Sequence, residues 1–159
     1  MSRLHAGAAS NTSLSLSNGG GWQGIKVVDG LHAHVLVTLT IPDFSTIVSL
    51  EIRGAGTRPG ALGSVMLNVS RGTIVLGKPT ASQPSAFPAT ITNSSTVELE
   101  IFVDGTATEV FVNGGERALT QSAQVLSIEG TTLRATAAHG AHEVRLKAAT
   151  WPMKRSASL

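Results

Sequence analysis

The stretch Val97–Thr120, VELEIFVDGTATEVFVNGGERALT, predicts three consecutive β-strands joined by two tight turns. Apolar residues occupy every second position from Val97 to Val103, which is the period of a strand with one buried face. Asp104-Gly105 and Asn113-Gly114-Gly115 then interrupt the apolar pattern, because glycine adopts a positive φ without steric cost. The stretch therefore predicts a β-meander, and it contains no catalytic motif.

The rest of the chain has the same pattern, in which short segments of alternating apolar and polar residues are separated by turn residues. These predict further strands at Asn11–Ser17, Trp22–Val28, His32–Ile41, Ser45–Arg53, Ser64–Val69, Gly72–Gly77, Gln124–Ile128, Thr131–Ala137 and His142–Trp151. Gly54–Gly63 is rich in glycine and is predicted to be a loop. Lys78–Pro88 contains three prolines and is predicted to be an extended connection without ladder bonds of its own.

About a dozen short strands and no helix predict an all-β fold. A single open sheet of that many strands tends to split into two packed layers, so we expect a two-layer antiparallel β-sandwich of concanavalin or jelly-roll type. A chain of 159 residues suffices for one such domain, spanning residues 1–159.

Composition excludes several classes of function. The chain has no Cys, which rules out disulfides, thiolate zinc sites and a cysteine nucleophile. No apolar run approaches the ~18 residues of a membrane span. Net charge is only +2 and the basic residues are scattered, so no nucleic-acid surface is predicted. The first residues carry no apolar leader, so we expect no signal peptide, and the compartment stays undetermined.

Histidine pairs are the first candidates for chemistry. His32 and His34 lie two apart on a predicted strand, so both side chains leave the same face, and His139 and His142 form a looser second pair. Two imidazoles fall short of the three or four protein ligands of a zinc site. We therefore favour exposed strand and turn histidines, with no metal and no cofactor.

Carboxylates are the second candidates, because glycoside hydrolysis uses two of them. Glu98 and Glu100 share a strand face and Glu109 lies on the next strand, a pattern typical of the solvated face of a sheet. No nucleophile elbow G-x-S-x-G occurs either. No catalytic residue is predicted. Trp22, beside a Gly-rich turn, is a weak candidate for stacking on a sugar, although a core or interface tryptophan is the favoured interpretation.

The meander also resembles a known family. Leu99–Asp104, Glu109–Gly115 and Ala118–Thr120, together with the closing Trp151-Pro152-Met153, resemble the C-terminal β-sandwich module of invertase-, levanase- and inulinase-type glycosidases, glycoside hydrolase family 32. The matching motif residues are Phe102, Asp104, Glu109, Val110, Phe111, Asn113, Gly114 and Trp151. Gly105-Thr106 stands where the family has Arg-Ser, so any polar contact of that arginine is lost here.

The resemblance implies a module without its enzyme, because the family's catalytic signatures belong to an N-terminal β-propeller and none of them occurs in this chain. It implies a non-catalytic accessory role, in which the module stabilises or docks to the propeller or mediates self-association. The parent family is often secreted. The alternatives are a stand-alone carbohydrate module that binds fructan and a purely structural or oligomerising module.

Overall fold

The computed structural model describes residues 5, 7–28, 32–42, 45–55, 61–76, 86–88, 95–105, 107–122 and 130–153. Twelve strands lie within these ranges: β1 (Ser10–Leu16), β2 (Gln23–Val28), β3 (His32–Ile41), β4 (Ile47–Ala55), β5 (Ala61–Asn68), β6 (Thr73–Leu76), β7 (Ala86–Pro88), β8 (Ser95–Asp104), β9 (Ala107–Val112), β10 (Arg117–Ser122), β11 (Gly130–Ala138) and β12 (Val144–Pro152).

The strands form two six-stranded sheets in which every neighbouring pair is antiparallel. The first sheet has the order β1-β12-β3-β8-β9-β10, and the second has the order β2-β11-β4-β5-β6-β7. The predicted two-layer sandwich of about a dozen strands is confirmed. Within the described ranges, no helix has the length and apolar character needed to cross a membrane.

The hydrophobic core lies between the two sheets and follows the strand period. All four apolar residues that the alternation of β8 assigns to one face, Val97, Leu99, Ile101 and Val103, are fully buried. The other sheet contributes residues such as Leu50 and Leu133 from β4 and β11. Alternate positions of the central strands therefore point into the core, and the positions between them form the two outer faces of the sandwich.

The turn between β9 and β10 is tied to the beginning of β8. Asn113, Gly114 and Gly115 have φ values of 48°, 71° and 101°. The Asn113 side-chain Oδ1 accepts a hydrogen bond from the Glu98 N–H at 3.0 Å, and the Asn113 N–H donates to the Glu98 carbonyl at 2.8 Å. Asparagine tolerates a positive φ and also supplies the acceptor, which explains Asn-Gly at this point of the sequence.

Two predictions about irregular segments are wrong. Gly54–Gly63 is not wholly a loop, because β4 continues to Ala55 and β5 begins at Ala61, with a register irregularity at Ile52/Arg53. Lys78–Pro88 is not free of ladder bonds, because Ala86–Pro88 pairs with β6. Since β7 is an edge strand bonded on one side only, it tolerates proline. The predicted strand Gln124–Ile128 lies outside the described residues.

Gly140 approaches Thr46 so closely that the position has no room for a side chain. A Cβ at Gly140 would overlap the Thr46 hydroxyl and lie 3.3 Å from its Cβ, and Thr46 is only 1% exposed. We expect Gly140→Ala to lower the free energy of unfolding by about 1–3 kcal/mol, measured by urea denaturation. Gly21→Ala, where a new Cβ meets nothing within 4 Å, is the matched control. Thr46→Ala should rescue much of the loss, and an additive double variant would contradict the steric explanation.

Candidate functional site

The outer face of the first sheet carries a cluster of aromatic and apolar side chains. We call it the aromatic face, and it consists of His5, His34, Leu36, Phe102, Phe111 and Trp151. The register explains it, because Trp151 of β12 lies opposite His34 of β3, and His34 lies opposite Phe102 of β8. The outer face of an antiparallel sandwich is ordinarily polar, so this cluster needs its own explanation.

The rings of the aromatic face are in direct contact. The ring centroids of His34 are 4.4 Å from Phe102 and 4.9 Å from Trp151, in nearly parallel stacks. His5 lies over His34 at 5.1 Å and over Trp151 at 5.0 Å. Phe111 meets Phe102 edge-on at 6.0 Å. The cluster is thus an ordered stack that spans four strands and the segment before β1.

His34 is the centre of this stack, and it is 6% exposed. The prediction of an exposed histidine is therefore wrong for His34, because His5 and its cross-strand neighbours cover it. Its Nδ1 is 2.9 Å from His5 Nε2, and its Nε2 is 3.0 Å from Glu100 Oε1, without good hydrogen-bond angles for the second contact. Burial lowers the pKa of His34, Glu100 opposes that shift, and His5 adds to it.

The lowered pKa makes the stability of the chain depend on pH. As the pH falls below the ordinary value of 6.5, His34 takes up a proton in the unfolded chain but stays neutral in the folded chain. Acidification from pH 7 to pH 5 therefore lowers the free energy of unfolding. One such proton contributes at most about 1.4 kcal/mol per pH unit. We expect His34→Phe to flatten the curve of melting temperature against pH, and His142→Gln, at an exposed histidine outside the stack, is the matched control. Equal slopes for the wild type and His34→Phe would contradict this assignment.

The other histidines are placed apart from that stack. His32, half-buried, pairs with Asp104 through Nδ1 and Oδ1 at 2.7 Å. His139 occupies a turn with φ 65°, and its carbonyl accepts a hydrogen bond from Ser45. Within the described residues, no group of three or more histidines and carboxylates is arranged to hold a metal ion.

Three of the four glutamates of the meander, Glu98, Glu100 and Glu109, lie on the outer face of the first sheet. Glu98 and Glu109 are exposed, and Glu109 lies opposite Phe102. Glu100 contacts His34 through its carboxylate, as described above. Nothing in these contacts forms a cleft with two facing carboxyl groups. The arrangement is that of a packed surface, and no catalytic role follows from it.

Six of the eight motif residues lie in three places. Phe102, Phe111 and Trp151 belong to the aromatic face, and Val110 is buried in the core. Asn113 and Gly114 form the turn. The alternation along each strand predicted which side chains face away from the core. The contacts of His34 with Glu100 and His5 could not be predicted, because they join residues far apart in sequence and give no local sequence signal.

Trp22 lies on the opposite side of the sandwich and is 44% exposed. Of the two favoured interpretations, a core or an interface tryptophan, the core one is therefore wrong, because the residue precedes the edge strand β2 and its ring is exposed; the interface one stays a prediction. Arg134 Cζ lies 5.1 Å from its ring centroid, a cation–π contact. Trp22 and the aromatic face thus mark two separate surfaces.

Comparison with known proteins gives a family match and several fold matches. The family model of the C-terminal region of glycosyl hydrolases family 32 matches residues 3–150. A sequence search of curated proteins finds no match. Among solved structures, the chain is similar to exo-inulinase from Aspergillus awamori, with 17% identity, a TM-score of 0.67, and coverage of 96% of this chain and 31% of the inulinase.

Two further solved structures have the same fold. β-Fructofuranosidase from Schwanniomyces occidentalis is 10% identical with a TM-score of 0.65, over 94% of this chain and 34% of the enzyme chain. Galectin LEC-6 from Caenorhabditis elegans is 12% identical with a TM-score of 0.56, over 90% of this chain and 96% of the galectin. The chain spans about a third of the length of the two hydrolases.

Proposed function

The chain belongs to the family of C-terminal domains of glycosyl hydrolases family 32, and from this premise we propose that it is the non-catalytic accessory β-sandwich of a β-fructofuranosidase-like hydrolase. In this role it packs against the catalytic domain and stabilises it. The observation that carries the proposal is the aromatic face. It is an apolar cluster on the outer face of a sheet, where the fold of a sandwich does not require apolar residues.

The composition of the aromatic face supports a protein partner. Aromatic side chains are enriched at protein interfaces, because they bury a large area at a small cost in conformational entropy. Leu36, Phe102, Phe111 and Trp151 are each partly exposed, so a docked surface would bury further apolar area. Glu98 and Lys147 are exposed on the same outer face beyond the rings, which supplies the polar rim typical of such interfaces.

The occupant that we propose is the catalytic domain of the same hydrolase. Family membership supports this choice, and so do the solved hydrolases, since the chain covers only 34% of the β-fructofuranosidase and 31% of the exo-inulinase. Self-association through the same face is the competing possibility. It predicts a dimer of the isolated chain that dissociates when the face is altered.

Activity and association measurements test the proposal together. The purified 159-residue chain should release no fructose from sucrose, inulin or levan, while the family 32 catalytic domain of the same organism should bind it in calorimetry and become more heat-stable. Hydrogen exchange should show new protection in β3 and β8 on binding. Dose-dependent fructose release by the isolated chain, or no association with that catalytic domain, would contradict the proposal.

A further inference from the structure

We propose that the outer face of the second sheet carries a carbohydrate-binding site formed by Trp22, Arg134 and Glu51 around an open floor at Gly24. This goes beyond the accessory role, because it assigns a ligand to a surface opposite the aromatic face. The ligand class is a sugar ring that offers an apolar C–H face to the indole and hydroxyl groups to the charged side chains.

Trp22 is exposed, yet the segment that carries it is held in place. The Gly19 N–H donates to the Ala137 carbonyl at 3.2 Å, and Thr136 Oγ1 donates to the Gly20 carbonyl at 3.0 Å. On the other side of the tryptophan, Gln23 Nε2 donates to the Ser15 carbonyl at 2.8 Å. Because the chain on both sides of Trp22 is already held, stacking on a ligand restricts mainly the indole side chain itself, which favours binding by this residue.

Charged side chains of two neighbouring strands, β11 and β4, extend away from the indole. Arg134 of β11 lies opposite Gly24 of β2 on one side and opposite Glu51 of β4 on the other. Arg134 Nη1 is 3.9 Å from Glu51 Oε2, and Arg53 Nε is 3.8 Å from the same oxygen. These separations are too long for hydrogen bonds, so the guanidinium and carboxylate groups can still donate to and accept from ligand hydroxyls.

Gly24 leaves space beside the indole. Its position on β2 faces outward, between Trp22 and Lys26 in the strand alternation. A Cβ there would lie 3.7 Å from Thr132 Cγ2 and 3.8 Å from Arg134 Cγ, which are ordinary contacts. Packing therefore does not require glycine here. A glycine in a strand without a packing reason is typical of a place where another molecule approaches the backbone.

The balance of charge favours a neutral polyhydroxylated ligand. Glu51 lies between Arg53 and Arg134, so a phosphate or carboxylate would meet a carboxylate as well as the two cations. A purely apolar ligand would desolvate these charges without giving them partners. Hydroxyl groups of one sugar unit can donate to Glu51 and accept from Arg134, while the C–H face of a neighbouring unit covers the face of the Trp22 indole that Arg134 leaves open.

Tryptophan fluorescence and calorimetry test the site on the whole 159-residue chain. Trp151→Phe leaves Trp22 as the sole fluorophore and keeps an aromatic ring in the stack with His34. Short inulin and levan oligosaccharides, and oligosaccharides of glucose and of galactose, are titrated up to about 10 mM. We expect a saturable change in Trp22 emission with at least one of them and matching heat in calorimetry.

Variants on both faces locate the binding. By calorimetry, Trp22→Ala and Gly24→Val should each weaken binding at least tenfold, since one removes the platform and the other fills the floor with a residue that strands favour. Lys147→Gln on the first sheet is the matched control and should keep the wild-type affinity. The proposal is overturned if every sugar gives flat titrations, or if folded Trp22→Ala binds as the wild type does. Neither result bears on docking through the aromatic face.

Discussion

Replacing Ile101 by alanine is expected to lower the free energy of unfolding by about 2–5 kcal/mol, measured by urea denaturation. Ile101 is fully buried at the middle of β8, where its register partners are Val35 on β3 and Val110 on β9. Both partners are also fully buried, so the neighbours have little freedom to fill the cavity. The loss of stability is therefore the transfer free energy of the deleted carbons plus the cost of that cavity.

Glu98→Ala on the same strand is the matched control. Glu98 is exposed on the outer face, and its contacts with Asn113 involve only its backbone N–H and carbonyl, so the variant should differ from the wild type by less than about 0.5 kcal/mol. Comparable losses for Ile101→Ala and Glu98→Ala would mean that the two faces of β8 are not buried as the sandwich requires.

The contrast between Ile101 and Glu98 shows why so much of the fold could be predicted from the sequence. A strand exposes alternate positions to opposite environments, so a period of two in Val97–Val103 already assigns each side chain to a face. Asp104-Gly105 and Asn113-Gly114 mark the ends of strands, because their backbone conformations exclude most other residues. Both signals are local, and local signals can be recognised without knowing the partner strands.

The features that could not be predicted depend on which strands become neighbours. Trp151 and His34 are 117 positions apart, yet their rings are 4.9 Å apart because β12 pairs with β3. Arg134 likewise reaches both Trp22 and Glu51 only because β11 lies between β2 and β4. The pairing of β7 also depends on its place in the sheet, since Pro88 argues against a central strand but is compatible with an edge strand.

Leu36→Lys is expected to weaken association with the catalytic domain by about 10–100-fold and to leave the isolated chain folded. Leu36 lies in the middle of β3 on the aromatic face, opposite Glu100 on β8 and Ala149 on β12. In the isolated chain a lysine at this position can extend into solvent and lies beside a carboxylate. At a docked interface the same ammonium group would be removed from water among aromatic rings, which carries a large desolvation penalty. Calorimetry with the purified catalytic domain measures the change.

Ser49→Lys places the same charge on the outer face of the second sheet, where Ser49 lies opposite Thr136 and Met66, and it should leave the association unchanged. Light scattering of the isolated variants separates the two possible occupants of the aromatic face. If the wild-type chain is a dimer and Leu36→Lys is a monomer, the face joins two copies of this chain instead of a catalytic domain. If Leu36→Lys and Ser49→Lys weaken binding of the catalytic domain equally, a general effect of added charge explains both results and the assignment of the aromatic face is wrong.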